Sequence, residues 1–120
     1  MEYMIFIGQT DAREPMSPTD PGFGEYMAGW MAYNQKLIDG GHWISGAQLQ
    51  PVTTATTIRR VAGADTIVDG PFAETKEQLG GYYVISAVDL DEALALAKQL
   101  PSAWEGSIEV RPLAYRPDAG

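Results

Sequence analysis

The sequence predicts an α+β fold built from two β-α-β units. Tyr3-Met4-Ile5-Phe6-Ile7 and Tyr82-Tyr83-Val84-Ile85 are apolar at odd and even positions alike. A strand with two apolar faces is covered on both sides, so each belongs in the middle of a sheet. Each is followed by a stretch with helical spacing. The last strand, Ser107-Ile108-Glu109-Val110-Arg111, alternates instead, as an edge strand with one wet face does. The order β-α-β-(hairpin)-β-α-β then gives a ferredoxin-like arrangement with an extra hairpin, its first and third main strands innermost.

The elements follow in chain order. Gly8 to Thr19 is polar, carries Pro15 and Pro18, and reads as a surface loop. Asp20-Pro21 predicts a helix start, with Asp as N-cap and Pro in the first helical position. Tyr26, Trp30, Tyr33 and Leu37 form an apolar stripe flanked by Met27, Met31 and Ile38, and Gly40-Gly41 ends the helix. His42 to Leu49 reads as a strand stopped by Pro51. Ala55–Val61 and Thr66–Asp69 predict a polar hairpin around a four-residue turn, Ala62 to Asp65. Asp89-Leu90-Asp91-Glu92 is a capping box opening a second helix, which Pro101 stops. Pro112 to Gly120 reads as a C-terminal tail of a single domain spanning residues 1–120.

Both helices of such a fold lie on one face of the sheet. The other face is apolar and has no cover within the chain, which predicts a homodimer packed sheet against sheet about a two-fold axis.

Composition narrows the function classes. At 120 residues the chain is one domain, and 45% apolar with 20% charged residues is ordinary globular composition. There are no cysteines, which removes disulfides, thiolate catalysis and Cys-based metal sites. A net charge of −8 disfavours nucleic acid. No basic-then-apolar leader precedes the first strand, and no apolar run approaches the ~20 residues that span a bilayer, so no membrane partner and a cytoplasmic location are expected. With a single His42, no multi-His metal site can be built in one subunit.

The ionisable residues cluster around the stretch Asp69 to Gln78. Asp69 ends a strand beside Gly70-Pro71. It can act as a general base or substrate anchor, or accept hydrogen bonds from the turn's own N–H groups. Lys76 can hold an anion while Glu74 moves a proton; alternatively Glu74, Lys76 and Glu77 are exposed ion pairs on a helical turn. Glu109 and Arg111 share one face of the last strand, where they either grip a polar ligand or pair across the edge. His42 can serve as an acid or base near neutral pH, or sit at the helix end as a surface residue. No phosphate loop, cofactor fingerprint or metal-ligand spacing occurs. A carboxylate-only metal site from Asp69, Glu74 and Glu109 is a weak pattern.

The run Val68-Asp-Gly-Pro-Phe-Ala-Glu-Thr-Lys-Glu-Gln-Leu-Gly-Gly-Tyr-Tyr-Val-Ile resembles the signature of the DGPF branch of the YCII-related proteins. Leu49-Gln50-Pro51 with Ala55-Thr56-Thr57-Ile58-Arg59, and Gly106 to Pro112, resemble it too. The resemblance runs from Tyr3 to about Leu113. It implies a dimeric α+β barrel of ferredoxin-like protomers. The wider group has a polar pocket with a His–Asp pair, and one branch resembles chloromuconolactone dehalogenases. That His lies near the start of the first helix, where this chain reads Pro21-Gly22-Phe23-Gly24-Glu25-Tyr26. The dyad is absent in that form, and dehalogenase chemistry does not transfer. The resemblance also associates such proteins with extracytoplasmic-function sigma factors.

Two functions are therefore expected. One is cofactor-free acid–base chemistry of isomerase or lyase type on a small molecule, using Asp69, Glu74, Lys76, Glu109 and Arg111. The other is a non-catalytic ligand- or protein-binding module, such as a regulatory companion of a sigma factor.

Overall fold

The computed structural model describes residues 1–9, 17–71, 78–101 and 106–117. Its elements are β1 (Glu2–Gln9), α1 (Phe23–Asp39), β2 (Trp43–Gln48), β3 (Thr56–Val61), β4 (Ala64–Asp69), β5 (Gln78–Ser86), α2 (Leu90–Ala97) and β6 (Gly106–Pro112). A turn of 3-10 helix, Val52–Thr54, joins β2 to β3. Four strands make an antiparallel sheet in the order β2-β5-β1-β6, and β3 pairs with β4 in a separate ladder. This is the ferredoxin-like strand order. The two strands that are apolar on both faces, β1 and β5, are its inner pair.

Register decides which face each residue serves. Ile5 lies opposite both Tyr83 and Val110, and Tyr3 lies opposite Ile85. Those side chains meet Tyr33 and Leu37 of α1 and Ala93, Leu96 and Ala97 of α2 in one core. Both helices therefore cover the odd-numbered face of β1. Ile5, Leu37 and Ile85 have no exposed surface at all. The Tyr33 hydroxyl donates to the Leu96 carbonyl at 2.8 Å, and Lys36 Nζ donates to Gln99 Oε1, so polar contacts also tie the helices together. Met4, Phe6, Tyr82 and Val84 share the opposite face. Among the described residues, no helix is long and apolar enough to cross a membrane.

The start of α1 differs from expectation. Asp20-Pro21 is not its cap. The helix begins at Phe23, with Gly22 as N-cap at φ 80°. The Asp20 carboxylate turns back to accept the Ser17 N–H at 3.0 Å, so it serves the preceding turn. The other end follows the sequence. Gly41 is left-handed at φ 77°, the His42 N–H donates to the Leu37 carbonyl, and the Gly41 N–H donates to that of Ile38. That pair of bonds is a Schellman ending, which needs a residue at ease with positive φ. Met31 and Ile38, which flank the stripe, stay largely exposed.

The hairpin also has a shorter turn than expected. Ala62 and Gly63, at φ 52° and 80°, connect the strands, while Ala64 and Asp65 already belong to the ladder. A two-residue turn with both φ positive matches the twist of the flanking strands. Arg60 forms a bidentate pair with Asp65, directly opposite it. Ile58 and Ile67, also directly opposite one another, are exposed. Nearly every residue of β3 and β4 is exposed.

The expected capping box opens α2. Asp89 accepts the Glu92 N–H at 2.9 Å, and Glu92 reaches back to the Val88 N–H at 2.9 Å. Asp89→Ala removes the first bond and should cost about 1 kcal/mol, read as a lower urea midpoint with an unchanged slope. An unchanged midpoint contradicts the role of the cap.

Candidate functional site

The four described residues among the six ionisable candidates, Asp69, Glu109, Arg111 and His42, lie at three separate places. Asp69 is exposed at the end of β4, on the hairpin. Beside it, Gly70 pairs back to β3: its N–H donates to the Ala55 carbonyl, and its own carbonyl accepts the Thr57 hydroxyl. Glu109 and Arg111 project from β6 onto the sheet face away from the helices, where they pair with one another. The Arg111 guanidinium carbon sits 5.3 Å from the centre of the Phe6 ring. Across the same face, Arg116 grips Glu2 with two bonds and holds its carboxyl below the usual carboxylate range.

His42 stands apart from these, at the entry to β2. Its Nδ1–H donates to the Ser86 carbonyl at 2.8 Å, and Glu92 Oε1 is 3.9 Å from the same nitrogen. Glu74 and Lys76 lie outside the described residues. Among the described residues, no three His, Asp or Glu side chains gather as a metal site.

The concave site is elsewhere. A cavity of about 200 Å³ lies between α1 and the β2–β5 side of the sheet. α1 contributes Tyr26, Met27, Trp30 and Asn34. β2 contributes Trp43, Gly46, Ala47 and Gln48, β5 contributes Gly80, Gly81 and Tyr83, and β1 contributes Ile7. The helical spacing of Tyr26, Trp30 and Asn34 sets one wall, since residues four apart share a helix face. Ala47 and Gln48 are exposed, so the cavity reaches solvent beside the end of β2.

Tyr83 is the centre of the wall. Its ring lies nearly parallel to Trp30, with centroids 6.2 Å apart at 17°, and meets Tyr33 and Trp43 edge-on at 5.5 Å and 5.8 Å. Its hydroxyl donates to Asn34 Oδ1. The close approach of Tyr83 to β2 requires glycine there. A Cβ on Gly46 would stand 2.9 Å from Tyr83 Cδ1 and 3.1 Å from the Tyr82 carbonyl oxygen.

Among the described residues, the polar groups lining the cavity are uncharged. Gln48 Nε2 donates to the Tyr26 hydroxyl at 2.8 Å. The Trp30 indole N–H is buried and finds no acceptor among the described residues. Leaving such a donor unmatched costs about 1–3 kcal/mol.

Burial pushes the Tyr33 phenol up to about 12, and burial, with Tyr33 and Tyr26 nearby, pushes the Tyr83 phenol up further. Both therefore hold their protons more tightly folded than unfolded, against an ordinary value of 10.0. Their contribution to stability is complete below pH 10 and is lost as pH rises through about 12. In an alkaline titration followed by phenolate absorbance, Tyr33 and Tyr83 should ionise late, together with loss of the near-ultraviolet circular dichroism. Ionisation of Tyr33 and Tyr83 near pH 10, with the dichroism intact, would contradict the packing.

Charge-based reading of the sequence missed Trp30, Asn34, Gly46, Gln48 and the role of Tyr83. The available signal was glycine in two strands that are otherwise bulky: Gly46 in β2 and Gly80-Gly81 in β5. Isolated strand glycines mark places where another group comes close.

Comparison with known proteins matches residues 1–115 to the sequence model of the YCII-related domain. An uncharacterized protein of Rhizobium meliloti (strain 1021) is 49% identical over 89 residues, which are 72% of this chain and 72% of that protein.

Proposed function

Because this chain belongs to the YCII-related family, and because its matched span folds around an aromatic-walled cavity, we propose that the protein binds a small molecule between α1 and the sheet. The observation that carries this reading is the cavity itself, about 200 Å³, walled by the side chains of Tyr26, Trp30, Trp43 and Tyr83. Concave, mostly apolar sites with a few convergent polar groups are where small ligands bind. The reading is one of binding rather than turnover. Of the residues expected to carry acid–base chemistry, Asp69 lies on the hairpin and not in the cavity lining, while Glu74 and Lys76 lie outside the described residues.

Titration with small neutral aromatic compounds, acetophenone first, tests it. Saturable quenching of tryptophan fluorescence and a melting temperature that climbs with ligand concentration are expected. The absence of any saturable change up to the solubility limit would overturn the reading.

The second part of the proposal concerns assembly: two copies pack through the sheet face that carries Met4, Phe6, Tyr82 and Val84. This face holds an apolar centre flanked by the Glu109–Arg111 pair, and a patch bearing both signs is self-complementary under a two-fold axis. The exposed hairpin, with Ile58 and Ile67 open, adds apolar surface that a second copy can cover. Sedimentation equilibrium should give twice the 13.0 kDa chain mass. Phe6→Glu should shift the protein to monomer. A wild-type monomer at every concentration sinks the dimer.

A further inference from the structure

The cavity meets solvent beside the end of β2, and two of its own lining residues are bonded to each other there. Resting on the binding reading above, we propose that Tyr26 and Gln48 form a gate across the mouth. Their hydrogen bond holds the cavity closed, and a guest enters or leaves while that bond is broken.

The bond joins two walls. Gln48 Nε2 donates to the Tyr26 hydroxyl at 2.8 Å, between residues 22 apart in the chain. Tyr26 belongs to α1 and Gln48 is the last residue of β2, and both line the cavity. The bond therefore ties helix to sheet rather than lying within either. Its position is the solvent end. Gln48 is exposed and Tyr26 half-buried, whereas Tyr83, on the inner wall, is buried. A single hydrogen bond between neutral, partly exposed side chains is a weak latch, so it opens without disturbing the core.

The helix side of the latch is also built to move. Tyr26 stands in the first turn of α1. The N-cap there, Gly22, offers no side chain to the free N–H groups of that turn. Gly24 lies within the turn, and a Cβ added to it would meet nothing within 4 Å, so little packs against this end. A helix end without a capping side chain, and with glycine in place of a better helix former, frays readily. The buried residues of α1, Tyr33 and Leu37, come further along and stay packed while the first turn opens. Motions of this kind take nanoseconds to microseconds, so the fraction of time spent open scales entry and exit alike.

Stopped-flow tryptophan fluorescence, with acetophenone as the probe, reads both rates. Tyr26→Phe keeps the ring and deletes the hydroxyl, while Gln48→Met keeps the length and deletes the amide. Each should speed association and dissociation together, by similar factors of roughly two to ten, the range that one such bond allows. The double variant should be no faster than the quicker single one to within about twofold, because both changes remove the same bond. Unchanged rates in both single variants, a faster dissociation alone, or single effects that multiply in the double variant would overturn the gate while the cavity remains a binding site. The absence of any saturable change in the wild-type protein would overturn the binding reading and the gate along with it.

Discussion

Leu37→Ala should destabilise the protein by about 2–5 kcal/mol, a large share of the ~5–15 kcal/mol that holds a domain together. Leu37 is fully buried on α1, in one cluster with Ile5 and Ile85 of the two inner strands. Truncation removes methyl groups from contact with both secondary-structure layers, and the surrounding strands cannot collapse into the space because their ladder fixes them. The melting temperature should fall by roughly 10 °C or more. Met31, on the same helix, is 65% exposed, and Met31→Ala should change stability by no more than about 0.5 kcal/mol. Equal effects at the two positions would mean that α1 presents a different face to the sheet.

Gly46→Val should close the cavity. The new side chain would meet the Tyr83 ring and the Tyr82 carbonyl at once, and only the ring can move. That ring is held by Asn34, Trp30, Tyr33 and Trp43, so its displacement costs about 1–3 kcal/mol of overpacking. Uptake of acetophenone should weaken tenfold or more. At Gly24 an added Cβ meets nothing within 4 Å, so Gly24→Ala should leave uptake unchanged and be neutral to slightly stabilising. Undiminished uptake in Gly46→Val would place the ligand elsewhere.

The fold was largely legible in the sequence because its signals are local and agree with one another. Apolarity on both faces of Tyr3–Ile7 and Tyr82–Ile85 follows from their central positions, and the alternation of Ser107 to Arg111 follows from an edge. Asp89 and Glu92 announce a helix start that no tertiary contact contradicts. Asp20-Pro21 announces one as well, but its carboxylate had a nearer donor in Ser17, and Gly22 turned the chain into the helix instead.

The candidate site was far less legible, for a physical reason. Its residues are aromatic, amide and glycine, which in a sequence look like core and turn. The aromatic stripe of α1 reads as packing, and it is packing over Tyr33 and Leu37. Only where it faces the glycines of β2 and β5 does it leave space, and that pairing spans about fifty residues of chain. The charged residues that attracted attention are satisfied locally instead: Glu109 by Arg111, and His42 by Ser86.

The most direct test of the central claim is the Trp30 indole N–H resonance, followed by nitrogen–proton correlation spectroscopy as acetophenone is added. The account predicts that this resonance moves markedly and saturably, with smaller changes at Asn34, Gly46 and Gly81, while the hairpin residues stay still. An unmoved Trp30 indole, or changes confined to the hairpin or the open sheet face, would contradict it.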